Sequence, residues 1–305
     1  MSKTFSKTFY FFAVLLFFLL LVSAWLFLPY QTGRFERVSG NTNFSLYEYG
    51  KEEMQFYKNM RFPDSRISYK MDNCPLQKAN DMERSFEKIS EITPLAFYQT
   101  NKDEEILITC KERTVIEGNL FIAGEGGPTK IIPGENFNVI LNGEILLLRN
   151  SDCPEPNVGT HELLHVLGFN HSNNPNNLMY PVSKCGQIIG EDIIELLNQL
   201  YSIPSYPDLS ISDVEAIMHG RYINLNFSIQ NQGLKDSKSN EINIYADNRI
   251  IKTLDIKPLE IGQGMVISLT NLGVTQVSFN ELKIEINSAY EELDTKNNVA
   301  LLKIK

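Results

Sequence analysis

Residues 160–172 read THELLHVLGFNHS, and no other stretch limits so tightly how the chain can fold. Three of the four histidines in 305 residues lie there, with Glu162 among them. His161 and His165 are four apart, so on an α-helix both rings project from one face. Two imidazoles at that spacing supply half of a tetrahedral zinc site. Gly168 follows three residues later and ends a helix cheaply, because glycine accepts positive φ. The chain can then turn back and bring His171 to the same point as a third ligand. Three nitrogens leave the fourth position to water, as catalytic zinc requires and structural zinc does not. Glu162 stands beside the ligands, placed to take a proton from a water and pass it to a leaving amine. His219 is the one histidine left over, so the expectation is a single zinc per chain.

The second constraint is the run FYFFAVLLFFLLLVSAWLFL, Phe9 to Leu28, which carries no charge. Twenty residues at about 1.5 Å each match a hydrocarbon core of roughly 30 Å. Lys3 and Lys7 precede it, so residues 1–8 are expected in the cytoplasm and the rest outside. The rival is a signal peptide cut after Ala24, which would leave the protein secreted. The apolar run continues through Trp25 to Leu28, which favours an uncleaved signal anchor in the cell membrane, single-pass.

Cys74, Cys110, Cys153 and Cys185 all lie in the exported part, where disulfides are permitted. Three pairings are open from sequence alone. Cys74–Cys110 with Cys153–Cys185 is preferred, since the latter two flank the histidine stretch. The net charge of −9 and the absence of a dense Lys/Arg block exclude nucleic acid as a partner.

Residues 29–61 are polar and mixed and read as a stalk. From 62 to 203 strand and helix patterns mix. RISYKM, LAFYQT and EILITC read as strands, and Leu76, Met82, Phe86 and Ile89 recur at helical spacing after a cap at Asp72 or Asn73. FNVILNGEILLL reads as two strands joined by a turn at Asn142-Gly143. GEDIIELLNQLYS reads as an amphipathic helix. This is an α+β pattern. AGEGGPTKIIPGEN reads as a glycine-rich acidic loop, a candidate calcium ligand through carbonyls and Glu125, though a plain surface loop is the simpler reading. After the proline-containing SIPSYPDLS the period changes to two. INLNFSI, EINIYA, MVISLT and ELKIEIN alternate apolar and polar residues, giving about seven strands over 204–305. That is the signature of an immunoglobulin-like β-sandwich.

HELLHVLGFNH resembles the extended H-E-x-x-H-x-x-G-x-x-H motif of the metzincin zinc peptidases. NNLMYP, just beyond it, is similar to the Met-turn of that clan in its matrixin form. The resemblance implies a metzincin-like catalytic domain over 62–203, with a mixed twisted sheet, an active-site helix and a C-terminal helix. It implies zinc endopeptidase activity on a peptide or protein substrate, with Glu162 as general base. It also implies that Met179 forms a floor beneath the metal, and that Tyr180 and Pro181 shape the wall of the S1′ pocket. Neither an inhibitory propeptide nor the extra histidines of a second zinc accompany the motif. In the second domain, PDLSIS and ELDTKNN resemble adhesion-related, CARDB-like surface modules, which implies a possible cell-surface ligand. A rival reading follows from that module: an adhesion or binding protein whose zinc domain is not used for catalysis.

Overall fold

The computed structural model describes residues 2–27, 32–37, 54–112, 114–117, 120–149, 153–275 and 279–304. Side chains are described from 9–23 in the first helix and from 35–37 in the first strand. Helix α1 runs Ser2–Phe27. Among the described residues no helix is long and apolar enough to cross a membrane. The C-terminal end of the expected span, residues 24–28, lies outside the described side chains, as does the expected cytoplasmic tail.

Strand β1 (Thr32–Arg37) is followed by β2 (Met60–Arg61), β3 (Arg66–Asp72), helix α2 (Leu76–Ile92), β4 (Ala96–Gln99) and β5 (Ile106–Cys110). Then come β6 (Val115–Glu117), β7 (Leu120–Ile122), β8 (Gly124–Ile132), β9 (Asn138–Leu147), α3 (Asn157–Val166) and α4 (Glu191–Ser202). Strands β10 (Leu209–His219), β11 (Tyr222–Asn231), β12 (Asn240–Ala246), β13 (Arg249–Ile256), β14 (Gly264–Gly273), β15 (Glu281–Asn287) and β16 (Val299–Ile304) complete the chain.

The first domain is mixed α+β. Its sheet runs β2-β9-β5-β3-β4, parallel throughout, with β8 antiparallel on the far side of β9. Helix α2 buries Met82, Phe86 and Ile89, the face its spacing specifies. Its start departs from expectation. Asp72 ends β3, Asn73 takes a positive φ of 54°, and Pro75 stands at the N-cap with no side-chain cap. Proline fits there because the first helical N–H groups have no partner to lose.

The expected hairpin at Asn142-Gly143 is not present, because β9 passes straight through both residues. Glycine is needed here for packing. A Cβ at Gly143 would lie 2.5 Å from Val166 Cγ1, so the bare backbone lets α3 settle on the sheet. Asn142 uses its amide on Glu104 O, 3.2 Å away. The glycine-rich stretch is likewise a strand for most of its length, since Gly124–Ile132 is β8, with Glu125 opposite Leu146.

Arg61, 1% exposed, is a buried charge within the segment expected to be a stalk. Its guanidinium donates to Leu200 O, Ile203 O and Pro63 O and lies 4.4 Å over the Tyr201 ring. Leu200 O and Ile203 O are carbonyls that the C-terminus of α4 leaves unpaired, with the partial negative charge that favours a cation. The arginine thus fastens α4 to the start of the domain.

The second domain packs two sheets around Leu225, Phe227, Ile242, Ile284 and Leu302, all buried. The seven strands β10–β16 match the expected number. An eighth comes from the segment read as stalk. Strand β1 pairs antiparallel with β10 (Thr32 opposite His219) and with β16 (Phe35 opposite Ile304), and so joins the two sheets. Phe35 anchors it, buried and stacked on Phe279 at 5.8 Å. The remainder of that segment up to residue 53 lies outside the described residues, and 54–61 belong to the first domain.

Candidate metal centre and cleft

Helix α3 is buried along almost its whole length, and its position is set from both ends. At the N-terminus Asn157 donates to Lys184 O (2.7 Å) and Cys185 O (3.3 Å), and the Cys153–Cys185 disulfide crosses beside it. Cys74–Cys110 is the other disulfide, so both preferred pairings are present. At the C-terminus Gly168 takes φ of +96°, the left-handed turn expected of it. The turn is held by Phe56 N donating to Gly168 O and Asn170 N donating to Met54 O.

His161, His165 and His171 meet at one point. His165 Nε2 lies 3.1 Å from His161 Nε2 and 3.2 Å from His171 Nε2. The outer nitrogens show what these contacts are. His161 Nδ1 is 2.7 Å from Leu178 O, and His165 Nδ1 is 2.7 Å from Phe169 O. A carbonyl can only accept, so each Nδ1 carries the proton and each Nε2 turns a lone pair inward. Two converging lone pairs repel unless a cation lies between them. Nitrogens held tetrahedrally by one ion at about 2.0 Å stand roughly 3.3 Å apart, close to what is seen. These three residues are the one group of potential metal-ligating side chains of that kind among the described residues. Burial lowers the basicity of all three imidazoles and takes His165 to about 4, which keeps them neutral and able to ligate. Glu125 belongs to no such group. His219 closes β10, in the other domain.

Glu162 is 6% exposed at the same place. Burial pushes its carboxyl up to about 8, and the charge of Glu125 adds to the effect. A nearby cation acts in the opposite sense. Strand β8 passes very close to this residue. A Cβ at Gly126 would fall 2.4 Å from Glu162 O, and one at Gly124 would fall 2.8 Å from Glu162 Cγ. The glycines read as loop residues therefore let a strand lie against the helix beside the carboxylate.

Met179 is fully buried. Its turn is pinned by its N–H on Asn177 Oδ1 (2.8 Å) and by its carbonyl accepting from Ser172 N (2.8 Å). Because Leu178 O orients His161, this turn acts as an outer support of the trio. A cleft of about 710 Å³ opens over the histidines, bounded by Phe121 and Gly124 on one side and Pro181, Val182 and Ser183 on the other. Pro181 thus lines the cleft, while Tyr180 is half-buried and not part of the lining. Sequence reading missed Phe56, whose ring stacks on His165 at 5.8 Å, and Gln55, bridged to Phe169. No motif in that stretch marks either residue.

Residues 206–301 match the CARDB family model. Two solved structures show similarity over about a third of the chain. One is the CARDB domain of a Pyrococcus furiosus protein in complex with di-metal ions, with 17% identity, covering 32% of this chain and 88% of that one, TM-score 0.29. The other is a domain of a putative cell surface protein from Methanosarcina acetivorans, with 21% identity, covering 33% and 92%, TM-score 0.25. No curated protein matches the chain.

Proposed function

We propose that the chain is a membrane-anchored, outward-facing zinc endopeptidase. One observation carries this reading: three imidazole Nε2 atoms converge at the floor of a cleft with a buried glutamate beside them. The resemblance of residues 161–171 and 176–181 to the metzincin motifs supports it. A zinc ion held by His161, His165 and His171 would supply positive charge to polarise a scissile carbonyl and acidify a water.

The protein's own groups account for the remaining tasks. Among the described residues strand β8 pairs only with β9, so its other edge is open to an extended peptide. Pro181, Val182 and Ser183 form the opposite wall and keep that peptide over the histidines. Glu162 takes the proton from the attacking water onto a carboxylate oxygen and delivers it to the leaving amine nitrogen. Its burial beside the histidines places it to hold the proton between those two events. Activity on a general protein substrate should fall about 10²–10⁴-fold in Glu162→Ala. Equal turnover by the two proteins would remove the catalytic assignment.

The CARDB match favours a second reading. CARDB is an adhesion-related domain and supports a cell-surface protein. On that reading the chain binds a surface ligand, and its histidine trio serves no catalysis. One zinc bound per chain, with no member of a peptide library cut, would decide for it.

A further inference from the structure

The two segments that carry the resemblance of the second domain, PDLSIS and ELDTKNN, meet in the structure. Leu293 N donates to Pro207 O (3.0 Å) and Ile211 N donates to Asn297 O (3.0 Å), so residues 288–298 lace the start of β10 to the end of β15. Where they meet, four side chains close on one another. Asn297 Nδ2 donates to Asp208 Oδ1 at 2.7 Å, and Leu209 N donates to Glu292 Oε2 at 2.8 Å. The Asn298 and Ser288 side chains also hydrogen-bond Glu292, and the Asp294 backbone hydrogen-bonds Asp208. Asp208 is 0% exposed, Asn297 7% and Asn298 4%.

Each of these groups keeps one buried oxygen with no hydrogen-bond partner: Asp208 Oδ2, Glu292 Oε1, Asn297 Oδ1 and Asn298 Oδ1. The amide of Asn297 cannot be turned to relieve this, because its oxygen would then face Asp208 Oδ1. The charges that act on Asp208 are those of Glu292 and Asp294, and both are acidic. Two carboxylates and two amide carbonyls, each with one buried oxygen left unpaired, offer the all-oxygen donor set that a hard cation takes. With no nitrogen or sulfur among the donors, oxygen-seeking calcium fits better than zinc.

We propose that Asp208, Glu292, Asn297 and Asn298 form a calcium site that ties the interdomain linker to the sandwich. It is separate from the histidine trio and from the Glu125 stretch. Asp208 lies within SIPSYPDLS, the stretch between the domains, so an ion there would fix the joint between them.

The test uses the full chain carrying His165→Ala, so that calcium is read without competition at the trio. For a dissociation constant of about 10⁻⁴ M, 1 mM calcium should raise the unfolding midpoint of the sandwich by roughly 5–10 °C. Terbium should bind at the same site and be excited through tyrosine, since Tyr206 and Tyr290 lie in the two meeting segments and the single tryptophan, Trp25, lies in α1. Asp208→Asn and, separately, Glu292→Gln should each abolish the shift and the emission. Should one variant not fold, the other carries the comparison. No shift in the parent chain, as expected if the carboxyls share a proton or bind only water, overturns the proposal. An equal shift in both variants overturns it too.

Discussion

Each domain gathers a cluster of polar side chains, and the two clusters were legible to opposite degrees. The histidine trio spans eleven consecutive residues, 161–171, and rests on one helix and its turn. The oxygen cluster of the sandwich joins residue 208 to residues 292–298, brought together only by strand pairing. The first faces an open cleft of about 710 Å³, while Asp208 in the second has no exposed surface. A site whose geometry comes from one helical turn shows in the spacing of its letters. A site assembled across a sheet does not, even when its letters are singled out for resemblance.

The comparison can be pressed by perturbing one domain and reading both. Phe35→Ala removes the anchor of β1 and should cost the sandwich about 3–5 kcal/mol, the range for a buried phenylalanine. Denaturant unfolding followed separately in each domain should show the first domain unchanged. An equal loss in both would mean that β1 supports more than the sandwich.

The reverse perturbation is Cys153→Ser with Cys185→Ser. That disulfide closes a loop of 32-residue separation, worth about 3–4 kcal/mol by chain entropy. The first domain should lose that stability and hold zinc more weakly, because the Met179 turn that orients His161 is no longer tied to α3. Zinc affinity equal to the parent would show that Asn157 alone holds the turn.

A smaller effect is expected of Gly143→Ala, whose Cβ would press on Val166 at 2.5 Å. Overpacking of this kind costs about 1–3 kcal/mol. Stability measured by urea titration should fall, and a gain would restore the turn reading of Asn142-Gly143.

The smallest effect is one of pH. Burial, with Glu292 and Asp294, raises the Asp208 carboxyl from 3.8 to about 6. The folded state then binds more protons than the unfolded state between those values, so stability falls as pH rises from about 4 to about 6. The difference between parent and Asp208→Asn unfolding midpoints, taken at pH 4 and pH 7 without calcium, isolates that slope. A flat difference would mean that Asp208 is not desolvated in the folded protein.

Much of the first domain was readable. The strands β3, β4 and β5, the helices α2 and α4 and the turn at Gly168 follow from periodicity and from what glycine alone tolerates. Both disulfides follow the preferred pairing. Glycine proved ambiguous elsewhere. At 124, 126 and 143 its role is to let backbone approach backbone or side chain, and a single sequence cannot tell that use from a turn. Arg61 and Phe56 were assigned to a stalk because nothing local marks a residue whose partner lies more than a hundred positions away.

By itself, then, the amino-acid order determined the spacing of His161, His165 and His171, the change from mixed periods to strict alternation after residue 204, and the apolar run at the N-terminus. Those features repeat over a few residues and need no distant partner. Tertiary structure alone decided that β1 joins the two sheets of the sandwich, that β8 lies against Glu162, and that Asp208 meets Asn297. Each is a contact between segments far apart in the chain, selected by which apolar faces bury one another and which backbone groups then remain to be paired.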